Sequence, residues 1–436
     1  MITSFHKHTE KYRHVLQIIL DWNGSFHYIA PSYYIISYNI FICKNYVLIR
    51  NLFTKEQIYF IIVLVMNVSY TNKLFNQKDI YNTEDSESIF VRAMKENASF
   101  HYKNCSDYRR ILNDFEFNPE SICVFADLIR LPFIPTLYMK HHHLQSKSSK
   151  KQIIKATSSG TSGSMSNIGF DIKSLNLGKK MVIRVGRYHK LWSFKPTNYI
   201  IFGYQPTKRN KTAVSKTAFG FTFFAPALSR TFALENTNNG YKLSWDRVIK
   251  ALEKCSKSKF PMRTIGFPAY TFFLLRDLKE KGIKYQMPKG SMVTLGGGWK
   301  QFYAEKVDKK EFYALVKEVL GIDESNVIEF FGAVEHPIMY TDCRYHHFHI
   351  PVYSRVIIRN PDNFSPVPYG KAGLINLLTP MMWSSPLLSV MTDDLGVLHN
   401  EKCPCGAESP WLEIIGRVGL SDIVTCAAGA DEYLKE

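Results

Sequence analysis

The 436-residue chain has only eight cysteines, scattered except for Cys403-Pro404-Cys405. That usage does not fit a disulfide framework, and no stretch resembles a cleavable secretory signal, so a reducing cytoplasm is the predicted setting. Long hydrophobic runs are missing too. The apolar run Ile58 to Met66 has nine residues, against the ~20 that a helix needs to cross a bilayer, which argues against a membrane span. Acidic residues are scarce, 38 against 55 Lys and Arg, leaving a formal charge of +17. Such an excess can be a nucleic-acid footprint. No helix-turn-helix, basic heptad or aromatic-rich single-strand signature accompanies it, so nucleic acid is not the expected partner. Lys147, Lys150, Lys151 and Lys155 read as a solvated linker, and the remaining excess as a potential that attracts anions or an acidic partner.

What is present is a chain that is 45% hydrophobic and 21% charged, the balance of a globular protein long enough for two or more domains. Its most informative stretch is Ser158-Ser159-Gly160-Thr161-Ser162-Gly163, which follows Lys155. Glycines let the backbone approach an anion, successive N–H groups form a concave nest, and hydroxyls add donors for phosphate oxygens. The Gly-Lys-Ser/Thr ending of the common P-loop is absent. Taken alone, such a run is more often a flexible linker, and the cradle reading depends on partners downstream.

Residues 1–65 are dense in Ile, Tyr and Phe without helical periodicity, and are expected to be an atypical extension, with Met66 as the working start. From 66 to 150, patterns such as Ile89-Phe90-Val91 and Tyr108-x-x-Ile111-Leu112 predict a helical cap, ended by Pro132 and Pro135 and followed by a linker through Lys140–Lys151. Three adjacent histidines in that linker read as exposed loop. From 151, β-rich runs such as Tyr199–Phe202 and Met262–Phe267 alternate with amphipathic stretches such as Trp245–Lys254 and Thr271–Glu280. That alternation predicts an α/β domain of mixed, largely parallel sheets, with ligands at the carboxyl ends of strands. Val352–Arg359 and Leu374–Leu378 suggest strands of a small barrel-like section.

Further motifs follow the Ser/Gly/Thr run in order: Leu295-Gly296-Gly297-Gly298-Trp299-Lys300, then Phe330-Phe331-Gly332-Ala333-Val334-Glu335-His336-Pro337, then Thr392-Asp393-Asp394, then Ile415-Gly416-Arg417 with Asp422 beyond. Over roughly residues 150 to 425 this ordered set resembles the adenylate-forming enzymes. Within them it is most similar to the acyl-protein synthetases of the bacterial bioluminescence fatty-acid reductase complex, and also to the phenylacetate-type CoA ligases. The resemblance implies an adenylate-forming catalytic domain over 151–417 that uses ATP and Mg²⁺ to convert a fatty acid to acyl-AMP.

It further implies roles for particular residues. Ser158, Ser159, Gly160, Thr161, Ser162 and Gly163 would cradle the β and γ phosphates, with Gly297 and Gly298 in the second glycine turn. Phe331, beside Gly332, would lie against adenine, where relatives usually carry tyrosine. Glu335 would hold Mg²⁺, Asp394 the ribose hydroxyls, and Arg417 the ribose or α-phosphate. Taken singly, Glu335 could cap a helix, Asp394 could close a turn, and Arg417 could sit in an exposed ion pair.

CoA ligases of this kind carry a mobile C-terminal domain with a catalytic lysine. Here a short tail, 418–436, follows Arg417, and Val418-Gly419-Leu420-Ser421 precedes Asp422, a departure from the family's Gly-Arg-x-Asp-Asp. The tail contains Cys426 among small residues. In acyl-protein synthetases such a cysteine accepts the acyl group and delivers it to a reductase subunit, which makes an acyl-CoA-reductase-like protein the expected partner. The alternatives are an ordinary buried cysteine, and for the chain a CoA ligase or a noncatalytic nucleotide- or acyl-binding subunit. Finally, Cys403 and Cys405 can chelate one soft metal ion, and zinc needs two more ligands. Cys343 and His349 follow the Glu335 loop, and phenylacetate-type relatives carry a histidine at a comparable place and a Cys-x-Cys-Gly before the final Gly-Arg, which implies a structural zinc held by Cys343, His349, Cys403 and Cys405; a tight turn with free thiols is the other reading. Phe219–Pro226 and Ile265–Pro268 are apolar enough to line an acyl channel or to be core.

Overall fold

The computed structural model describes residues 69–157, 166–207, 213–237, 240–299, 302 and 305–417. The extension 1–65, the loop Ser158–Gly163 and Cys426 lie outside these residues. Everything described belongs to one compact unit that starts at Ser69.

The helical cap comprises α1 (Tyr70–Leu74), α2 (Glu87–Asn104), α3 (Ser106–Asp114), α4 (Phe125–Ile129) and, after the two-residue β1 (Ile134–Pro135), α5 (Thr136–His141). In α2 the buried Phe90, Val91, Met94, Ala98 and His101 recur at three- and four-residue spacing along one face, which fixes the helix against the core. The expected linker is instead stitched down. The amides of Ser146 and Lys147 donate to the Ser384 carbonyl, and Lys147 forms a close ion pair with buried Asp171. Lys147 is therefore no solvated linker residue, whereas Lys150, Lys151 and Lys155 are exposed. Of the three adjacent histidines, His141 ends α5 and His142 stacks on Tyr138.

Strands β2 (Ile154–Thr157) and β3 (Asn167–Phe170) pair antiparallel, and the Ser158–Gly163 run is the connection between them. Asp171 then accepts from the Ser174 amide to start α6 (Ile172–Tyr188), whose Leu177, Met181 and Val185 are buried one turn apart. Each such side chain contributes roughly 1.5–3 kcal/mol.

The larger sheet has seven strands in the order β10-β9-β8-β7-β4-β5-β6. These are β4 (Thr197–Tyr204), β5 (Ala227–Thr237), β6 (Gly240–Leu243), β7 (Met262–Gly266), β8 (Met292–Gly296), β9 (Val327–Phe331) and β10 (Tyr340–Thr341). The five inner strands are parallel and the edge strands β6 and β10 antiparallel. Central β4 is buried along nearly its whole length, as a strand covered on both faces must be. The helices among these strands are α7 (Ala213–Phe221), α8 (Trp245–Ser256), α9 (Pro268–Glu280) and α10 (Lys309–Leu320). Helix α10 opens on Asp308, which accepts from the Lys310 amide, and stops at Gly321, whose φ of 65° suits a residue without Cβ.

The section expected to be small and barrel-like is a sheet of almost equal size. Its six strands include β11 (Phe348–His349), β12 (Arg355–Arg359), β13 (Ala372–Leu378), β14 (Ser389–His399) and β15 (Trp411–Arg417), in the order β11-β15-β14-β13-β12 with β1 beside β14. Apart from β1, neighbours run antiparallel. A core of cap, α6 and this second sheet lies on one side of the unit, while α8, α9 and α10 pack with the parallel strands in another.

Candidate active site

A cleft of about 760 Å³ lies at the carboxyl ends of β8 and β9 and is faced by β14 and β15. Four separate sequence motifs meet there. Gly297 and Gly298 follow the last residue of β8 with φ of 86° and 69°, a left-handed turn that side chains resist. The next residue, Trp299, is buried in the core and anchors the turn. Phe331 ends β9, and a Cβ on Gly332 would come within 3.0 Å of the Ile338 carbonyl, so glycine allows the chain to double back toward Glu335. Asp394 and Arg417 enter from the other sheet, where they are register partners across β14 and β15.

Glu335 is only 5% exposed, lines the cleft, and has no hydrogen bond or ion pair to any described residue. A carboxylate that lines a cleft on a largely buried residue, with no protein partner, is open to a cation from the cleft side, so its chemistry fits a hard divalent ion. Arg417 is engaged: its Nη2 lies 3.2 Å from Asp393 Oδ2 and its Nε 3.9 Å from Asp394 Oδ1. Asp393 also accepts from Thr136 Oγ1 at 3.3 Å, tying the helical cap to the cleft floor. The arginine is thus held in place but largely neutralised. Lys309 supplies a further cation, 2.7 Å from Glu329. Burial works against its charge, yet Glu329, Asp342 and Glu413 outweigh it and raise its pKa.

Behind Glu335 the next residue, His336, is fully buried. Its Nε2 lies 2.9 Å from Tyr340 Oη and Tyr340 Oη 2.6 Å from Ser354 Oγ, which donates to the Leu378 carbonyl at 2.8 Å. A carbonyl only accepts, so Ser354 donates to Leu378, Tyr340 to Ser354, and the His336 Nε2–H to Tyr340. Burial lowers the His336 pKa to about 3, so the ring is neutral and its Nδ1 faces no described donor.

Beside the cleft, the ligand atoms of Cys343, His349, Cys403 and Cys405 all lie within 4.8 Å of one another. Cys343 and Cys403 Sγ are 3.7 Å apart and Cys405 Sγ is 3.2 Å from His349 Nε2. Tetrahedral zinc with bonds of ~2.3 Å has sulfur–sulfur edges of ~3.8 Å. The His349 Nδ1 sits 3.2 Å from the Ser409 carbonyl, so it donates there and turns the Nε2 lone pair toward the sulfurs, the usual support of a metal-bound imidazole. Burial pushes the Cys343 thiol up to about 12, and a cation is what would stabilise its thiolate. The three sulfurs and one nitrogen fit zinc in number, type and spacing.

Gly297, Gly298, Phe331, Gly332, Glu335, Asp394 and Arg417 therefore share one cleft, and the four metal candidates share one node. Of the two apolar segments suggested for an acyl channel, Pro268 lines the cleft, while Phe221 touches it indirectly by packing on Phe330 at 4.4 Å. Sequence reading missed Lys309, Asp393 as a partner of Arg417, and the wall residues Tyr345, His347 and Trp411. The Cys343-to-His349 spacing marks the ends of that wall loop but carries no signal for the residues between.

This pairing of a parallel and an antiparallel sheet around one cleft defines the fold of an adenylate-forming ligase. An open form of 2-hydroxyisobutyryl-CoA ligase, solved with its acyl adenylate and CoA, superposes with a TM-score of 0.58 at 14% identity, over 78% of this chain and 72% of that one. The post-adenylation form of that ligase gives the same TM-score. The chain belongs to the LuxE acyl-protein synthetase family, whose model matches residues 67–435, and is an enzyme of that class. It is similar to the long-chain-fatty-acid–luciferin-component ligases of Aliivibrio fischeri, 24% identical over 80% of this chain and 89% of the relative, and of Vibrio harveyi, 22% identical over 80% and 88%. Among the described residues no helix is long and apolar enough to cross a membrane.

Proposed function

We propose that the enzyme activates a fatty acid with ATP and passes the acyl group to its own Cys426 as a thioester, for delivery to an acyl-CoA-reductase-like partner. The convergence of the glycine turn, Phe331, Glu335, Asp394 and Arg417 in one cleft carries the reading. The fatty-acid carboxylate attacks the α-phosphorus of ATP and the bond to pyrophosphate breaks, giving acyl-AMP. The Cys426 thiolate then attacks the acyl carbonyl, AMP leaves with the bonding electrons, and the thiol proton passes to solvent.

The barrier to the first step is mostly one of positioning and charge. Ser158–Gly163 would hold the β and γ phosphates and Gly297 and Gly298 would let the backbone approach the nucleotide. Phe331, beside Gly332, would pack on adenine and Asp394 would accept from the ribose. Arg417 would exchange part of its ion pairing with Asp393 and Asp394 for the ribose or α-phosphate. Mg²⁺, when bound through Glu335, would neutralise phosphate oxygens. Zinc at Cys343, His349, Cys403 and Cys405 would be structural.

The test is incubation of the full chain with ATP, Mg²⁺ and radiolabelled long-chain fatty acid, then denaturing electrophoresis with and without hydroxylamine, for wild type and Cys426→Ala. Hydroxylamine-sensitive label on wild type alone is the expected result. Pyrophosphate release without label on the protein would replace the reading with a CoA ligase, and neither with a binding subunit.

A further inference from the structure

The metal node and the cleft share their walls. Cys343 and His349 bracket a loop of which Tyr345, His346, His347 and Phe348 line the cleft, and Cys403 and Cys405 precede β15, whose Trp411 and Leu412 line it from the neighbouring strand. One side chain joins the two. His347 Nδ1 lies 3.3 Å from Cys403 Sγ, and the His347 ring stacks on Trp411 with centroids 3.8 Å apart and planes 5° from parallel. Trp411 is stacked in turn with His399 at 3.8 Å and 10°. His399 is fixed by Glu413 at 2.8 Å and Glu401 at 3.1 Å.

We propose that His347 is a positioning residue that couples metal occupancy of the Cys343/His349/Cys403/Cys405 node to nucleotide affinity in the cleft. The inference rests on the reading above for both the metal and the nucleotide. With metal bound, the Cys403 sulfur is held at a fixed point, and the His347 Nδ1–H donates to it across 3.3 Å. That bond fixes the plane of the imidazole, the imidazole fixes Trp411, and the two rings form part of the cleft wall. Without metal, the Cys403 sulfur loses its tie to the other three ligands, and the stack loses the support of that fixed point. Each site therefore binds better when the other is filled, and linkage requires the two enhancements to be equal.

The experiment uses the full chain, zinc-loaded and chelator-stripped, as wild type and His347→Phe, which keeps a stacking ring and lacks the donor. Affinity for a nonhydrolysable ATP analogue with excess Mg²⁺ is measured by calorimetry, and zinc affinity by chelator competition with and without the analogue. Removing zinc should weaken analogue binding by about tenfold in wild type, within the usual range of coupling. The analogue should tighten zinc by the same factor, and in His347→Phe both factors should fall to about one. A stack that merely supported the fold would lower stability without removing this reciprocity.

Should the stripped protein unfold, cobalt substitution carries the test. The thiolate-to-cobalt absorption band should shift on adding the analogue in wild type and stay fixed in His347→Phe. Equal analogue affinity with and without zinc, a factor retained by His347→Phe, or an unmoved cobalt band in wild type each overturns the proposal. Failure to bind zinc at all overturns it while leaving acid activation standing. Zinc binding without analogue binding overturns the nucleotide reading itself.

Discussion

Replacing Glu335 by Gln separates a functional carboxylate from a structural one. Residue Glu335 is 5% exposed and its carboxylate lacks a described partner, so in the unliganded protein only cleft water serves it and it gains nothing from the fold. An amide of the same shape removes the cost of holding a charge there. Burying an uncompensated polar group costs ~1–3 kcal/mol by mutational measure. Because the cleft admits water, about 1–2 kcal/mol is the applicable share. With an unfolding entropy of ~2.1 cal/mol/K per residue, a unit of this size gains about 1–3 °C in melting temperature. Activity should move the other way. Losing an anionic contact to the metal–phosphate charge removes about 3–4 kcal/mol of transition-state stabilisation, or ~10²–10³ in rate. ATP–pyrophosphate exchange at saturating fatty acid, titrated with Mg²⁺, reads the second effect and scanning calorimetry the first. A Gln variant that melts lower while exchanging at the wild-type rate would show that Glu335 supports the fold and that the assignment of Mg²⁺ to it is wrong.

Other consequences are independent of that one. Cys403→Ser should abolish stoichiometric zinc in protein purified without chelator, read by elemental analysis; zinc-free wild type would dismiss the node as a metal site. His101 and His336 are fully buried, and burial lowers their pKa values to about 4 and about 3, below the ~6.5 of an unfolded histidine. The unfolded state therefore binds protons first, so stability is fully present above pH ~6.5 and is lost as pH falls toward the folded values. These two residues alone contribute up to roughly 3 kcal/mol per pH unit between about pH 6 and pH 4, and His189, whose pKa burial also lowers to about 4, adds to the same slope. Denaturant titrations across that window should flatten in His336→Gln, and an unchanged slope would refute the assignment. For Asp171, burial pushes the pKa up but hydrogen bonds from Lys147 and Ser174 outweigh it and hold it low. That contribution is present above the ordinary carboxylate pKa and lost below it. Asp171→Asn should cost about 2 kcal/mol at pH 7, allowing for partial exposure of Lys147, and progressively less as pH falls below the ordinary carboxylate pKa; a cost that does not change with pH would exclude the ion pair.

Local rules made much of the architecture legible. The apolar spacing around Phe90 and Val91 and around Ile111 and Leu112 marked the helices of the cap, because that periodicity needs only neighbouring residues. The alternation of β-rich runs and amphipathic stretches after residue 151 predicted strands and helices that are present, with both glycine-rich motifs directly following strands, β2 and β8. The order of motifs pointed to the adenylate-forming class, and the residue types of Cys343, His349, Cys403 and Cys405 pointed to a metal set, because ligand chemistry is carried by the side chains themselves. The size of the second sheet was not legible, since pairing between strands as distant in the chain as β1 and β14, which run parallel, depends on contacts that no local pattern encodes. For the same reason Lys147 looked like solvated linker until Asp171 lay beside it.

The sequence by itself determined which chemistry the chain can offer: soft sulfur ligands, a hard carboxylate after an aromatic-glycine motif, an arginine in a late glycine-arginine pair. Tertiary structure alone decided which of these meet. It left Glu335 unpartnered, occupied Arg417 with Asp393 and Asp394, drew two cysteine segments sixty residues apart to within 3.7 Å, and set His347 between the metal node and the cleft. Distances of a few ångströms between segments far apart in the chain arise from packing two sheets against a helical cap, and only the folded molecule specifies them.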